Sequence, residues 1–209
     1  MNNFPFLPVL EELKKHVNRT RSYDNFYIVS VQHLLETTGS LFEAIIDIGI
    51  KPENIYLLGK PYSTHFETKM FLKSKGINLF TNRDQSSFGI LRENLKKDVA
   101  FMWDAITPKL KPNDVIIILD DGGLAIRRAP HNLFSVCKFY GIEQTTFGLR
   151  YQENYDHFPI IQVATSATKK YLEPNLISNA LVDKIINQLK KIKPNKIGVV
   201  GFGNIGKAV

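Results

Sequence analysis

The chain is poor in several features that would otherwise decide its class. It holds a single cysteine, Cys137, so no intramolecular disulfide can form, which is the pattern of a reducing compartment. No apolar run approaches the roughly 20 residues needed to span a bilayer. The opening MNNFPFLPVL lacks a basic leader and is interrupted by Pro5 and Pro8, so it does not read as a signal peptide. Together these absences lead to the expectation of a cytoplasmic protein with no membrane partner. No internal repeat, low-complexity tract or metal-ligand spacing stands out, so no metal is expected. Lys+Arg number 27 against 20 Asp+Glu, a net charge of +7. Yet Lys14, Lys15, Lys96, Lys97, Lys190 and Lys191 are dispersed rather than clustered. That fits solvated helix faces better than a nucleic-acid footprint, and no nucleic-acid partner is expected.

What remains is the composition of a globular protein, with 44% hydrophobic and 22% charged residues in 209. At roughly 100–200 residues per domain, the length predicts one domain or one and a fraction. Such a chain buries about 70% of the surface it exposes when unfolded, enough to dispense with staples.

Along the chain, short apolar runs alternate with longer amphipathic stretches. Residues 26–31 read as a strand, rich in aromatic and β-branched side chains. Leu41, Ile45 and Ile48 recur at helical spacing over 34–48, and Gly49 is a plausible stop. Residues 55–58 read as a strand ended by Gly59 and Pro61, 64–75 as a helix closed by Gly76, and 77–80 as a third strand. A helical pattern covers 88–109, and the continuous run 115–119 suggests a strand buried on both faces. Residues 131–140 suggest a further helix, 159–163 a strand, 177–192 a helix, and 196–200 a final strand. This alternation predicts an α/β, doubly wound, mostly parallel sheet with flanking helices, a Rossmann-like domain over 1–193. In such sheets ligands sit at the carboxyl ends of the strands.

The last expected strand runs into Gly201-Phe-Gly203-Asn204-Ile205-Gly206, the G-x-G-x-x-G pattern in the context a dinucleotide turn requires. The first glycine permits the tight turn, the second lets backbone approach a pyrophosphate, and the third lets helix pack on strand. Residues 194–209 are thus expected to be the start of a second, NAD-binding Rossmann domain, cut before its ribose-binding acid. A glycine-rich turn without a ligand stays open as the plainer reading.

Other groups fall at expected strand ends. Asp120-Asp121-Gly122-Gly123 follows a buried run and suits either acid/base work or a tight turn. His33 lies just past the first strand and is either a proton carrier or a structural group. Glu143-Gln144-Thr145-Thr146 offers acceptors for sugar hydroxyls or a helix cap. Thr168-Lys169-Lys170 offers a lysine for an alcohol or two solvated ammonium groups. Tyr23, Phe26, Tyr27, Tyr151 and Tyr155 read as ordinary core or surface aromatics.

In order and spacing, ILDDGG, GIEQTTFG, FPIIQVATSATKKYLEP and NKIGVVGFGNIGKAV resemble the S-adenosylhomocysteine hydrolase (adenosylhomocysteinase) family. Upstream, His33-Leu-Leu-Glu-Thr-Thr38 resembles that family's HMTVETAVLIE segment. The resemblance implies tightly bound NAD, oxidation of a ribose 3′-hydroxyl, elimination of homocysteine, and a homo-oligomer acting on a nucleoside substrate. It implies that His33 and Asp121 move protons and that Lys169 with Glu173 deprotonates the 3′-hydroxyl. Thr38, Gln144, Lys169 and Glu173 are then substrate-binding. Thr145, Thr146, Gly201, Gly203, Asn204, Ile205 and Gly206 are cofactor-binding.

The chain departs from the family pattern at Leu35, Gln144, Phe147, Ala164, Glu173 and Pro174. A glutamine in place of the family's glutamate at 144 loses a charge-assisted bond, worth about 1.5–3 kcal/mol. Two alternatives therefore accompany the hydrolase expectation. One is a catalytically degenerate binding or regulatory relative, and the other an NAD-dependent dehydrogenase of a different hydroxy substrate.

Overall fold

A computed structural model describes residues 4–17, 20–81, 91–150, 156–192 and 194–209. The chain divides into two compact units, residues 1–161 and 162–209.

The first unit is built on a sheet. Its elements are α1 (Pro8–His16), β1 (Phe26–Leu34), α2 (Glu36–Asp47), β2 (Ile55–Thr64), α3 (Phe66–Ser74), β3 (Asn78–Thr81) and α4 (Leu91–Ile106). There follow β4 (Val115–Asp120), α5 (Leu124–Arg127), β5 (Lys138–Glu143), α6 (Thr146–Leu149) and β6 (Ile160–Gln162). The sheet order is β3-β2-β1-β4-β5-β6, and β1–β2, β1–β4, β2–β3 and β4–β5 all pair in parallel. This is a Rossmann-like α/β fold, and the order reverses between β1 and β4.

Two-sided burial follows from the side-chain alternation of the strands. Val29, Val31, Ile116 and Ile118 pack on one face with Val99, Met102, Trp103 and Ile106 of α4. Ile28, Leu57 and Leu119 pack on the other with Phe42 of α2 and Leu72 of α3. Helices on both faces leave the central strands dry on each side, and β4 is accordingly an unbroken apolar run down to Asp120.

Most of the expected elements form, with shifted bounds. Gly49 (φ 108°) and Gly76 (φ 90°) do follow α2 and α3, in the left-handed region that stops a helix. β2 does not end at Gly59 and Pro61 but continues to Thr64. The ladder passes from Gln32↔Gly59 to Leu34↔Thr64 through a register shift, which accommodates a proline that cannot donate. The expected helix over 131–140 is a single 3₁₀ turn, His131–Leu133, followed by β5. From 138 onward the inward positions alternate as Phe139, Gly141 and Glu143, and pairing with β4 outweighs any helical pattern. The helix expected over 88–109 is described from Leu91; residue 88, like Tyr151 and Tyr155, lies outside the described residues.

The second unit holds a π-type turn, Thr168–Leu172, which runs into α7 (Glu173–Ile192), and ends with α8 (Asn204–Ala208). Residues 196–200, expected as a strand, form none. A strand exists through its ladder, and no described residue pairs with this stretch; Val200 is fully exposed. Among the described residues no helix is long and apolar enough to cross a membrane.

Candidate functional site

The crevice outside the carboxyl ends of β1 and β4 is where ligands bind in open sheets of this kind, because the flanking helices diverge there. A small cluster of titratable side chains stands at that edge. His33 is the next-to-last residue of β1, and Asp121 follows the last residue of β4. His33 Nε2 lies 3.5 Å from Asp121 Oδ2. The two residues named from the sequence as proton carriers therefore meet.

A third member had not been anticipated. Lys60, beyond the expected end of β2, is only 6% exposed. Its ammonium donates to Asp121 Oδ1 and lies 3.4 Å from His33 Nε2. The available signal was a lysine two residues past an apolar run, at the ligand edge. Burial pushes the pKa of His33 below its usual value, the Lys60 charge pushes the same way, and Asp121 opposes both. Tyr62 meets the His33 ring edge-on at 5.6 Å between centroids. The Thr38 hydroxyl donates to the His33 carbonyl at 2.6 Å, so it secures the start of α2 against β1.

Beneath this cluster the Asp-Asp-Gly-Gly turn is tied down by buried carboxylates. Asp120, fully buried, accepts from the Ile126 N–H through Oδ2 at 2.9 Å. Burial and the nearby Glu143 push its pKa up to about 7, against the backbone N–H groups and Lys60. Glu143, also fully buried, accepts at Oε1 from Gly122 N, Thr145 N and Thr145 Oγ1, at 3.2, 2.8 and 2.6 Å. Its carboxyl is likewise raised, first by burial, although those three donors pull it back. Thr145 Oγ1 accepts in turn from Gly148 N and so caps α6. The loops after β4 and β5 are thus fastened together by one carboxylate. Three glycines make this possible. Gly122 (φ 115°) and Gly123 (φ 71°) turn left-handed, and a Cβ at Gly148 would fall 2.2 Å from Glu143 Cδ.

The substrate-side expectations divide. Gln144 is at this edge, but its Oε1 accepts from Gln32 Nε2 at 2.7 Å, a partner not foreseen. Thr146 and Phe147 are exposed, Phe147 at 49%. In the second unit, Lys169 Nζ donates to Glu173 Oε1 at 2.8 Å across one helical turn, with both side chains 34% exposed. At 201–206 the glycine conformations match the expectation, although the strand expected to lead into them does not form. Gly201 adopts φ 107°, and a Cβ at Gly206 would lie 2.2 Å from the Gly201 carbonyl oxygen. Gly203 precedes α8 with open space around its Cα. Only glycines fit the first and last positions, and the second leaves room for close approach of a phosphate. The glycines at 201, 203 and 206 therefore leave the backbone room that a pyrophosphate would need, without the strand that usually precedes such a turn. No group of three metal-ligating side chains is present among the described residues.

Fold and edge cluster together define an α/β protein with a polar His33–Asp121–Lys60 cluster at its switch point. No protein-family model matches the chain. It is 27% identical over 198 residues to an uncharacterised protein of Mycobacterium tuberculosis, covering 91% of this chain and 39% of that one. It is 27% identical over 212 residues to the adenosylhomocysteinase of Sulfolobus acidocaldarius, covering 97% of this chain and 47% of the relative. The adenosylhomocysteinase of Sulfurisphaera tokodaii is 26% identical over the same length. The chain thus spans less than half the length of the curated relatives it matches.

Proposed function

We propose that the chain is the nucleoside-binding portion of an adenosylhomocysteinase-like, NAD-dependent protein, which cleaves S-adenosylhomocysteine reversibly to adenosine and homocysteine. The observation that carries the reading is the meeting of His33, from β1, and Asp121, from the turn after β4, at the switch point. Similarity to two adenosylhomocysteinases along nearly the whole chain supports it. NAD, when bound, supplies the acceptor for the hydride of the ribose 3′ carbon, and the glycine turn at 201–206 would hold its pyrophosphate. Lys169, oriented by Glu173, would take the 3′-hydroxyl proton. His33 and Asp121 would accept and return the protons that accompany loss of homocysteine and addition of water. Gln144 would bind a ribose hydroxyl through its amide.

The test is direct. A full-length protein containing this chain, supplied with NAD, should cleave S-adenosylhomocysteine, and adenosine alone should reduce its cofactor. Failure of both defeats the hydrolase reading. One observation favours a second reading, a catalytically silent nucleoside-binding protein: Gln144 is already engaged by Gln32. Adenosine binding measured by calorimetry, without turnover, would select it.

A further inference from the structure

None of the motifs that carry the family resemblance contains Lys60. A lysine so deeply buried is uncommon, because its ammonium gives up hydration that only well-placed acceptors return. Lys60 has two partners, Asp121 Oδ1 and His33 Nε2, the second at 3.4 Å. An ammonium offers protons and no lone pair. A hydrogen bond from it to His33 Nε2 requires the lone pair on that nitrogen and the ring proton on Nδ1.

We infer that Lys60 is the positioning residue of this site: its ammonium fixes the Asp121 carboxylate and keeps His33 as the uncharged proton acceptor of the cluster. The inference rests on the reading of the site given above. The groups around His33 are Lys60 and the Tyr62 ring from β2, Asp121 from the turn after β4, and the uncharged Thr38 from α2. Lys60 and Asp121 stand almost equally far from Nε2, at 3.4 and 3.5 Å, and their charges oppose. Burial then decides, and it disfavours the imidazolium. Removing Lys60 breaks this balance in favour of Asp121.

The experiment is a proton NMR titration of the histidine ring resonances in the full chain, with His33→Gln to assign the signal. In the unaltered chain His33 should titrate below its ordinary value of about 6.5. In Lys60→Met, where Asp121 faces the ring alone, the titration should move up by about one unit. Lys60→Arg, which keeps the charge, should bring it back. A His33 that titrates at or above about 6.5 in the unaltered chain overturns the inference, even if Lys60→Met does not fold. So does an unmoved titration in a Lys60→Met chain that keeps its circular dichroism. The readout needs no turnover. A shifted His33 without S-adenosylhomocysteine cleavage defeats only the hydrolase reading, and cleavage with an unmoved His33 defeats only the role of Lys60.

Discussion

Two lysine–carboxylate pairs stand in this molecule in opposite circumstances. Lys60 comes from β2 and Asp121 from the turn after β4 in the first unit, with side chains 8% and 18% exposed. Lys169, in the π-type turn that precedes α7, and Glu173, the first residue of α7, sit one turn apart, both 34% exposed. The units that carry them differ in the same way. Residues 1–161 enclose a core on both faces of a sheet. In α7 only Pro174 and Ser178 are buried, and Leu176 is 69% exposed. The sheet-edge site is held by tertiary structure and buried charge, whereas the α7 pair is held by helix geometry alone. The same chemical pairing therefore carries different energetic weight in each place.

The largest expected effect tests the buried carboxylates of the first unit. Asp120 keeps its proton in the folded chain up to about pH 7, while in the unfolded chain an aspartate releases it near pH 4 or so. Between those values the folded chain binds more protons, so stability falls as pH rises across the window and levels off above it. The slope is roughly 1.4 kcal/mol per pH unit, about 4 kcal/mol in all. Asp120→Asn cannot titrate, so its stability relative to the unaltered chain should climb over the same window. Urea unfolding from about pH 4 to pH 8 measures it. Parallel curves for the two chains would show that Asp120 is ionised in the fold.

The cores provide the next contrast. Phe42 on α2 is fully buried, and Phe42→Ala should cost about 3–4 kcal/mol in urea unfolding. Leu176→Ala on α7 should change stability by less than about 0.5 kcal/mol. Similar losses from both would mean that α7 belongs to the same cooperative core.

The ion pairs follow. Lys60→Met leaves a mostly buried Asp121 without its partner and should cost about 3 kcal/mol. The double variant Lys60→Met/Asp121→Asn should recover part of that loss, because the unpaired charge is gone. No recovery would mean that the lysine stem, rather than the charge, is what packs at the edge of β2.

How far these features could be seen in the sequence depends on what defines each. β4 is legible because a strand buried on both faces is apolar without a break, β1 because it opens on aromatic and β-branched residues, and α2 and α3 because glycines mark their ends. Residues 138–143 were not legible as a strand. Their inward positions include Gly141 and Glu143, whose burial comes from pairing and from the loop it fastens. Residues 196–200 carry a strand's composition, but a ladder needs a partner that composition does not supply. Within the site, His33 and Asp121 were legible as residues at strand ends. Lys60 was not, because its meaning comes from register: Gln32 aligns with Gly59, which brings the next residue of β2 beside His33. Gln32 was missed for the same reason, since its bond to Gln144 spans β1 to the end of β5.

The smallest stability effect belongs to the exposed pair, and it separates stability from function most cleanly. Lys169→Met removes one partner of a half-exposed pair formed across a single helical turn. Such pairs contribute about 0.3–0.5 kcal/mol, because water screens the charges and both side chains lose rotamer freedom. For a chain of this size the melting temperature should fall by no more than about 2 °C. If the lysine takes the proton of a ribose hydroxyl, the same change should lower cofactor reduction by adenosine about 100-fold or more in the NAD-supplied protein, the loss typical of a general base. Glu173→Gln should have a milder effect, since it weakens the orientation of the lysine and leaves its amine in place. Equal, small losses in both variants would remove Lys169 from the proposed chemistry and leave the exposed pair as an ordinary helix contact.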